Sequence, residues 1–192
     1  MATRKAKQAI LITALLGITG LMVVMPKLSM GQVNPPTTTT QSEELAEVER
    51  LEKQMDKLYK QGRYSEAIPL AERVLAMRKR LLNPEHIDVA TSLNNLAELY
   101  TSQGRYAEAE PLYHQALEMI KRLFGQEHPR VATSLNNLAL LYAKQGRYME
   151  AEPLYRQALN MRKRLLGTEH LQVTESLNND ATLKLNPYIS KL

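Results

Sequence analysis

Residues 92–124 read SLNNLAELYTSQGRYAEAEPLYHQALEMIKRLF, and residues 134–166 read SLNNLALLYAKQGRYMEAEPLYRQALNMRKRLL. The two stretches are identical at 25 of 33 positions. Their Gln-Gly-Arg-Tyr segment also occurs at residues 61–64, so the three copies follow one another at intervals of 42 residues. A period this regular predicts stacked units, each of which buries its apolar face against its neighbours.

Within one unit the apolar residues follow a helical period. Five of them recur at spacings of three and four and form one stripe: Val131, Leu135, Leu138, Ala139 and Tyr142. Gly146 is expected to end this helix in the left-handed conformation, and a second helix is expected from about residue 149 to Gly167. The equivalent second stops are Asn83 and Gly125, and Asn is also expected to adopt that conformation. The sequence therefore predicts an all-α solenoid of stacked antiparallel helix hairpins.

Composition and charge exclude several functional classes. The 192-residue chain has no Cys, which excludes a disulfide framework, Cys-ligated zinc and thiol catalysis. The formal net charge is +5, but Arg4, Lys5, Lys7 and Lys27 lie in an N-terminal stretch without acids, so the remainder is nearly neutral. A nucleic-acid-binding protein is expected to have a basic face. The sequence therefore predicts no nucleic-acid partner.

Residues 1–31 have the layout of a secretory signal peptide. A basic start is followed by an apolar run at residues 9–25 and by Ser29 and Gly31, which suit a cleavage site before Gln32. The run is also at the lower limit of a membrane span, so a retained N-terminal anchor and a buried helix stay as alternatives. The signal and the anchor both predict a protein exported beyond the cytoplasmic membrane (periplasmic or secreted), or membrane-anchored and facing outward.

The rest of the chain divides into a linker, an array and a tail. Residues 32–42 are rich in Pro and Thr and are predicted to be an extended linker. The solenoid is predicted at residues 43–185, with repeats at 43–83, 86–125 and 128–167, a solvated capping helix at 171–185 and a tail at 186–192. In the first helix Val48, Leu51, Met55 and Leu58 form a stripe that fits a loosely packed array helix or a short coiled-coil dimer contact.

The repeated residues also resemble a known family. The run Leu-Asn-Asn-Leu-Ala-x-x-Tyr, then Gly-Arg-Tyr-x-Glu-Ala-Glu-Pro-Leu-Tyr-x-Gln-Ala-Leu, then Gly-x-Glu-His, resembles the tetratricopeptide repeat. The 42-residue period, longer than the usual 34, is similar to that of the kinesin-light-chain subtype. The resemblance covers residues 43–179 and implies a right-handed superhelix, but it is weak evidence for function. In the last full repeat the signature positions are Leu138, Ala139, Tyr142, Gly146, Tyr148, Ala151, Tyr155 and Ala158.

Paired asparagines are the most informative polar feature. They occur as Asn94-Asn95, Asn136-Asn137 and Asn178-Asn179, although Asn is a poor residue inside a helix. The resemblance implies that first helices line a concave face, where Asn side chains hold the backbone of a bound peptide. The alternative is that one or both Asn bond to the neighbouring helix and join the units. Glu98, Leu140 and Lys144 are placed on the same face and would give it mixed charge.

Histidine also recurs at 42 residues, as His86, His128 and His170. Stacked units hold these side chains too far apart to share one metal ion, so they are predicted to be structural residues before helix starts. The sequence contains no phosphate loop, nucleophile elbow or zinc-protease motif, and no catalytic residue, metal or cofactor is predicted. The basic residues near the ends of second helices are expected to complement the helix dipole, or alternatively to attract acidic partners or anionic lipid.

These observations predict a non-enzymatic scaffold that binds a protein partner, as an extended peptide or a partner helix, in the concave groove. The candidate groove residues are Asn94, Asn95, Glu98, Asn136, Asn137, Leu140, Lys144, Asn178 and Asn179. Two alternatives remain. One is a structural repeat protein that assembles into homo-oligomers, and the other is a regulatory or truncated fragment of a larger array.

Overall fold

A computed structural model describes residues 38–184 of the chain. Seven helices follow one another in this range, which contains no strand: α1 (Thr38–Lys60), α2 (Tyr64–Leu81), α3 (Ile87–Ser102), α4 (Tyr106–Phe124), α5 (Pro129–Lys144), α6 (Tyr148–Leu166) and α7 (Leu171–Lys184). The first six pair into the hairpins α1/α2, α3/α4 and α5/α6, and each hairpin packs against the next. The predicted all-α solenoid is confirmed.

Several predicted segments lie outside the described residues. They are the signal peptide or anchor at residues 1–31, the first part of the linker and the tail at 186–192. The linker was predicted to extend to residue 42, but α1 already begins at Thr38. Ion pairs between Glu44 and Arg80 and between Glu47 and Arg73 hold the beginning of α1 against α2. This docking accounts for helix in a segment whose Thr residues have low helix propensity. In the described range, no helix is both long and apolar enough to cross a bilayer.

The turn inside each hairpin is set by the Gln-Gly-Arg-Tyr segment. Gly104 has φ of 75°, which other residues adopt only at a cost. The amide N–H of Arg105 then donates a 2.8 Å hydrogen bond to the carbonyl of Tyr100, and the amide of Gly104 donates one of 3.1 Å to Thr101. This pattern closes the end of α3 because it uses carbonyls that would otherwise lack partners.

The end of α2 differs from the predicted helix stop at Asn83. The helix ends at Leu81, and Leu82 is extended with φ of −113° and ψ of 167°. Asn83 Oδ1 instead accepts a 3.0 Å hydrogen bond from the backbone N–H of Glu85. An Asn side chain can thus direct a turn through its own oxygen. Gly125, at the same position one repeat later, does have a positive φ of 83°.

Alanine permits the close crossing of helices inside each hairpin. One continuous core runs from Met55 to Met161, and its alanines are fully buried: Ala97, Ala109, Ala116, Ala139, Ala151 and Ala158. Leucines such as Leu99 and Leu141 fill the spaces beside them, each at 2% exposure or less. Burying a Leu side chain contributes about 1.5–3 kcal/mol. The repeats are therefore held together by one shared core.

The first helix uses its apolar stripe within the chain. Val48 and Leu51 are buried in a small cluster with Val74 and Met77 of α2. Met55 and Leu58 are also buried, and they join the main core. These side chains are covered by the protein itself, so the stripe is that of an array helix and the coiled-coil interpretation is not supported.

The last described helix packs on α6 by one face. Val173 and Ser176 of α7 are buried, but Leu177 is 43% exposed. The equivalent residues in earlier repeats, Leu93 and Leu135, are buried because a second helix covers them.

A candidate interaction surface on the first helices

Two pockets lie side by side on the surface formed by the first helices. The acidic pocket, between α1 and α3, has a volume of about 350 Å³ and is lined by Glu52, Met55, Asp56, Tyr59, Asn95, Glu98 and Leu99. The amide pocket, mainly between α3 and α5, has a volume of about 500 Å³. Its lining includes Asn94, Asn95, Asn137, Thr91, Thr133, His128, Arg130 and Gln172. Asn95 belongs to both, and together the two pockets are called the groove below.

Some of the paired asparagines line the groove, and others bond to a neighbouring repeat. The second Asn of the first two pairs, Asn95 and Asn137, lines the groove. At the other end Asn179 Nδ2 donates a 2.9 Å hydrogen bond to Asn136 Oδ1 and joins α7 to α5. The structure thus assigns Asn136 and Asn179 to contact between repeats, whereas Asn95 and Asn137 face the groove.

Asn94 stands at the position of Asn136 but lacks the equivalent bond. Its Oδ1 atom is buried and accepts no hydrogen bond within the part of the chain that the structure describes. A buried acceptor without a donor costs about 1–3 kcal/mol. Asn94 also lines the amide pocket, although its Oδ1 atom is itself buried.

The other predicted groove residues are only partly brought together. Glu98 lines the acidic pocket. Leu140 and Lys144 are exposed on α5, and Asn178 is exposed on α7, but none of the three lines either pocket. Leu140 takes the repeat position of Glu98.

The acidic pocket is organised by a hydrogen bond between repeats. The Tyr59 hydroxyl donates a 2.6 Å bond to Glu98 Oε1. This bond, together with burial, raises the pKa of Tyr59 to about 12. Of the other two carboxylates, Glu52 pairs with Arg78 at 2.9 Å and Asp56 pairs with Lys60 at 2.6 Å. Sequence reasoning did not identify Met55, Asp56 or Tyr59 as groove residues, because the first helix departs from the repeat pattern.

The amide pocket has the opposite electrostatic character. No carboxylate is among its lining residues, but Arg130 and His128 are. The His128 ring stacks on Phe124 with centroids 4.5 Å apart, and the Arg130 guanidinium lies 5.6 Å from the Phe124 centroid. These contacts hold both side chains at the N-terminus of α5.

The repeated histidines cap first helices, as the structural prediction required. Nδ1 of His86 accepts a 3.1 Å hydrogen bond from the backbone N–H of Asp88. His128 and Arg130 repeat this bond at 3.1 Å, and His170 and Gln172 repeat it at 3.2 Å. Each imidazole thus takes the place usually held by Ser, Thr, Asp or Asn at a helix start. Within residues 38–184, no group of His, Asp and Glu residues is arranged to hold a metal ion.

Tyrosines join α3 and α5 to the second helix of the preceding repeat. The Tyr100 hydroxyl donates a 2.8 Å bond to Glu72, and the Tyr142 hydroxyl donates a 3.0 Å bond to Glu110. His114 also lies 3.1 Å from the Tyr142 hydroxyl. The guanidinium groups of Arg105 and Arg147 lie 4.4 and 4.0 Å from the ring centroids of Tyr100 and Tyr142. A Tyr followed five residues later by Arg is therefore the sequence signal that marks these tyrosines.

One arginine near the end of each second helix has an acidic partner on the same protein. Arg80 pairs with Glu44, Arg122 with Glu85 and Arg164 with Glu127. Their charges are therefore largely balanced locally. This arrangement weakens the alternative in which these residues form a stripe for acidic partners or lipid.

Comparison with known proteins agrees with this geometry. The family model for the tetratricopeptide repeat matches residues 58–122, 88–164 and 130–183. No curated protein matches the sequence significantly. A solved structure described as a putative kinesin light chain with nearly identical TPR-like repeats, from Podosopora anserina, is 26% identical with a TM-score of 0.65. The match covers 72% of this chain and 65% of that one.

Two further structures have the same fold. BtubC (BKLC) from P. vanneervenii is 26% identical with a TM-score of 0.61, over 76% of this chain and 63% of that one. The TPR-like protein CT2138 from Chlorobium tepidum TLS is 19% identical with a TM-score of 0.55, over 74% of this chain and 98% of that one. This chain therefore matches slightly less than two thirds of the length of the two kinesin-light-chain-like structures.

Arrays of this fold present extended surfaces and generally serve as scaffolds for protein–protein interaction. The family model covers more than half of the chain, and the 42-residue hairpins have their counterparts in the kinesin-light-chain-like structures. This protein belongs to the tetratricopeptide repeat family, in its kinesin-light-chain-like subtype.

Proposed function

We propose that this protein is a non-catalytic scaffold that holds an extended peptide, or one face of a partner helix, in the groove. The observation that carries the proposal is the position of Asn95 and Asn137. Both are half-buried side chains in strong helices, and both line the groove although Asn is unfavourable there. An amide offers two donors and one acceptor, which suits a peptide backbone of varied sequence.

The shape of the groove also favours an extended ligand. Pockets that enclose small molecules are concave and largely apolar. The two pockets here are open depressions that adjoin at Asn95, so neither encloses a ligand. A chain laid across them would contact successive repeats in the same way.

We further propose that the protein works beyond the cytoplasmic membrane, as an exported or membrane-anchored protein. The proposal depends on the basic start and the apolar run at residues 9–25. Fractionation of cells that express a C-terminally tagged chain tests it. A soluble, shortened product outside the cytoplasm indicates cleavage, and a full-length membrane product indicates an anchor, whereas a cytoplasmic full-length product contradicts both.

Affinity capture with the full-length chain tests the groove. The test variant is Asn95→Ala with Asn137→Ala, and the matched control is Gln115→Ala with Gln157→Ala, two exposed amides that are also 42 residues apart on second helices. We expect the control to retain the partners of the wild-type protein and the test variant to lose them. Equal capture by both variants would show that the groove asparagines do not bind the partner.

Self-assembly is a second candidate, favoured by the exposed Leu177 on α7. Sedimentation velocity over a range of concentrations separates the two functions. A sedimentation coefficient that rises with concentration, and that Leu177→Glu abolishes, supports assembly through α7. A constant monomeric value supports a scaffold that binds other proteins.

A further inference from the structure

We propose that the groove selects an extended peptide with a basic side chain that enters the acidic pocket and an acidic side chain that reaches Arg130. This inference rests on the proposed peptide-binding function and adds the charge of the ligand. The two ends of the groove differ in charge. All charged lining residues of the acidic pocket are acids, whereas the amide pocket is lined by Arg130 and by no carboxylate.

Glu98 is the residue that would receive the basic side chain. Its Oε1 accepts the Tyr59 hydroxyl at 2.6 Å, but no Lys or Arg in the described range forms an ion pair with it. Glu52 and Asp56 differ, because Glu52 forms an ion pair with Arg78 and Asp56 forms one with Lys60. A carboxylate can accept several hydrogen bonds, so Glu98 keeps acceptor capacity towards the pocket. The Tyr59 bond also restricts the side chain before a ligand arrives.

The walls of the acidic pocket suit a long basic side chain. Met55 and Leu99 supply apolar surface, which the methylene groups of Lys or Arg can cover while the charged end reaches Glu98. The Tyr59 ring adds a face for cation–π contact. The volume of about 350 Å³ leaves room for one long basic side chain.

Arg130 provides the complementary charge at the other end. It is exposed on the first turn of α5 and forms no ion pair with any described residue. Its contact with Phe124 positions the guanidinium but does not neutralise it. Between Arg130 and Glu98 lie Asn95 and Asn137, whose half-buried amides offer hydrogen bonds to a peptide backbone.

The distance between the two charges sets the spacing expected in the ligand. Asp88 occupies the repeat position of Arg130, and it lies ten residues before Glu98 on α3. At about 1.5 Å per residue this is ~15 Å along the helix, and side-chain-covered helices are roughly 10–12 Å across. Combining the two lengths gives a distance of about 18 Å between the positions of Glu98 and Arg130. An extended peptide covers this distance in about five or six residues at ~3.3 Å each.

Binding to a synthetic peptide library tests the inference directly. The probe is a degenerate library of acetylated and amidated twelve-residue peptides, passed over the immobilised full-length chain and sequenced after elution. We expect bound peptides to be enriched in Lys or Arg at one position and in Asp or Glu about five or six residues away. Glu98→Gln should reduce the basic enrichment at least ~5-fold, and Arg130→Gln should reduce only the acidic enrichment. Glu118→Gln, which removes an exposed acid on α4, is the matched control and should change neither.

Each outcome bears on one claim. Enrichment without charge preference, or a basic preference that Glu98→Gln leaves intact, overturns the inference but leaves the peptide-binding function in place. Preference for an acid where Lys or Arg is expected also overturns it. If no peptide is enriched over a column without protein, and Asn95→Ala with Asn137→Ala leaves partner capture unchanged, the proposed function is itself wrong. Circular dichroism of each variant at 222 nm confirms that the helices are retained.

Discussion

The Tyr59 hydroxyl and the Glu98 carboxylate, which both line the acidic pocket, are joined by a 2.6 Å hydrogen bond that connects α1 with α3. The residues are 39 positions apart, and Tyr59 belongs to the least regular repeat. The bond thus attaches the divergent first helix to the surface formed by the regular repeats.

The first prediction concerns the titration of Tyr59. The hydrogen bond to Glu98 and burial raise its pKa to about 12, above the value of about 10 for a free Tyr. A raised pKa means that the folded state favours the neutral phenol. Its contribution to stability is therefore complete below about pH 10 and is lost as the pH rises towards 12.

Ultraviolet titration at 295 nm measures this effect, with Tyr59→Phe identifying the signal of Tyr59 by difference. We expect Glu98→Gln to lower the pKa of Tyr59, because the hydrogen bond to the carboxylate, which favours the neutral phenol, is lost together with the negative charge. Glu118→Gln serves as a control. An unchanged midpoint in Glu98→Gln would show that the bond does not persist in solution.

The second prediction concerns the turn between α3 and α4. Gly104→Ala should lower the free energy of unfolding by about 1–2 kcal/mol, since φ of 75° is unfavourable for Ala. Gly104→Asn should cost less, because Asn tolerates this conformation. Urea denaturation followed by circular dichroism gives both values. Equal stability of Gly104→Ala and the wild type would contradict the left-handed turn.

The third prediction concerns the tyrosines between repeats. Tyr142→Phe removes the hydroxyl bound by Glu110 and His114 and should cost about 1 kcal/mol. Tyr155→Phe is the matched control, because that hydroxyl has no hydrogen bond to any described residue. Denaturation midpoints for the two variants should differ clearly, and equal losses would argue against the hydrogen bonds of Tyr142.

The fourth prediction concerns the imidazole caps. His86→Ala should destabilise the protein by about 0.5–2 kcal/mol, because the N–H of Asp88 loses its acceptor at the start of α3. His86→Asn should restore most of the loss, since Asn is a favourable cap. Thermal denaturation compares the three proteins. Failure of Asn to rescue the Ala variant would mean that the imidazole acts through packing instead.

Most of the fold could be predicted from the sequence, because the same residue pattern recurs in successive repeats and each copy supports the interpretation of the others. The apolar stripe of Val131, Leu135 and Leu138 and the turn at Gly146 were both found where the pattern placed them. The prediction was less accurate at the first repeat. There α1 starts at Thr38 and α2 ends at Leu81, since contacts with α2 and a local turn override residue propensity.

The side chains of the groove were predicted less completely. Asn94 and Asn136 have the same neighbours in sequence, yet Asn136 bonds to Asn179 and Asn94 Oδ1 has no partner among the described residues. Such differences arise from rotamers of the adjacent repeat, which sequence identity does not reveal. The acidic pocket was missed for a related reason, because Asp56 and Tyr59 do not match the repeat pattern.

Site-specific photo-crosslinking tests the central claim, that the partner binds in the groove. A benzophenone amino acid is placed at Asn95 in one full-length protein and at Gln115, exposed on α4, in another, and both are irradiated in the cells that make them. The account predicts a discrete cross-linked partner from position 95 and none from position 115. Cross-links from position 115 together with none from position 95 would contradict it.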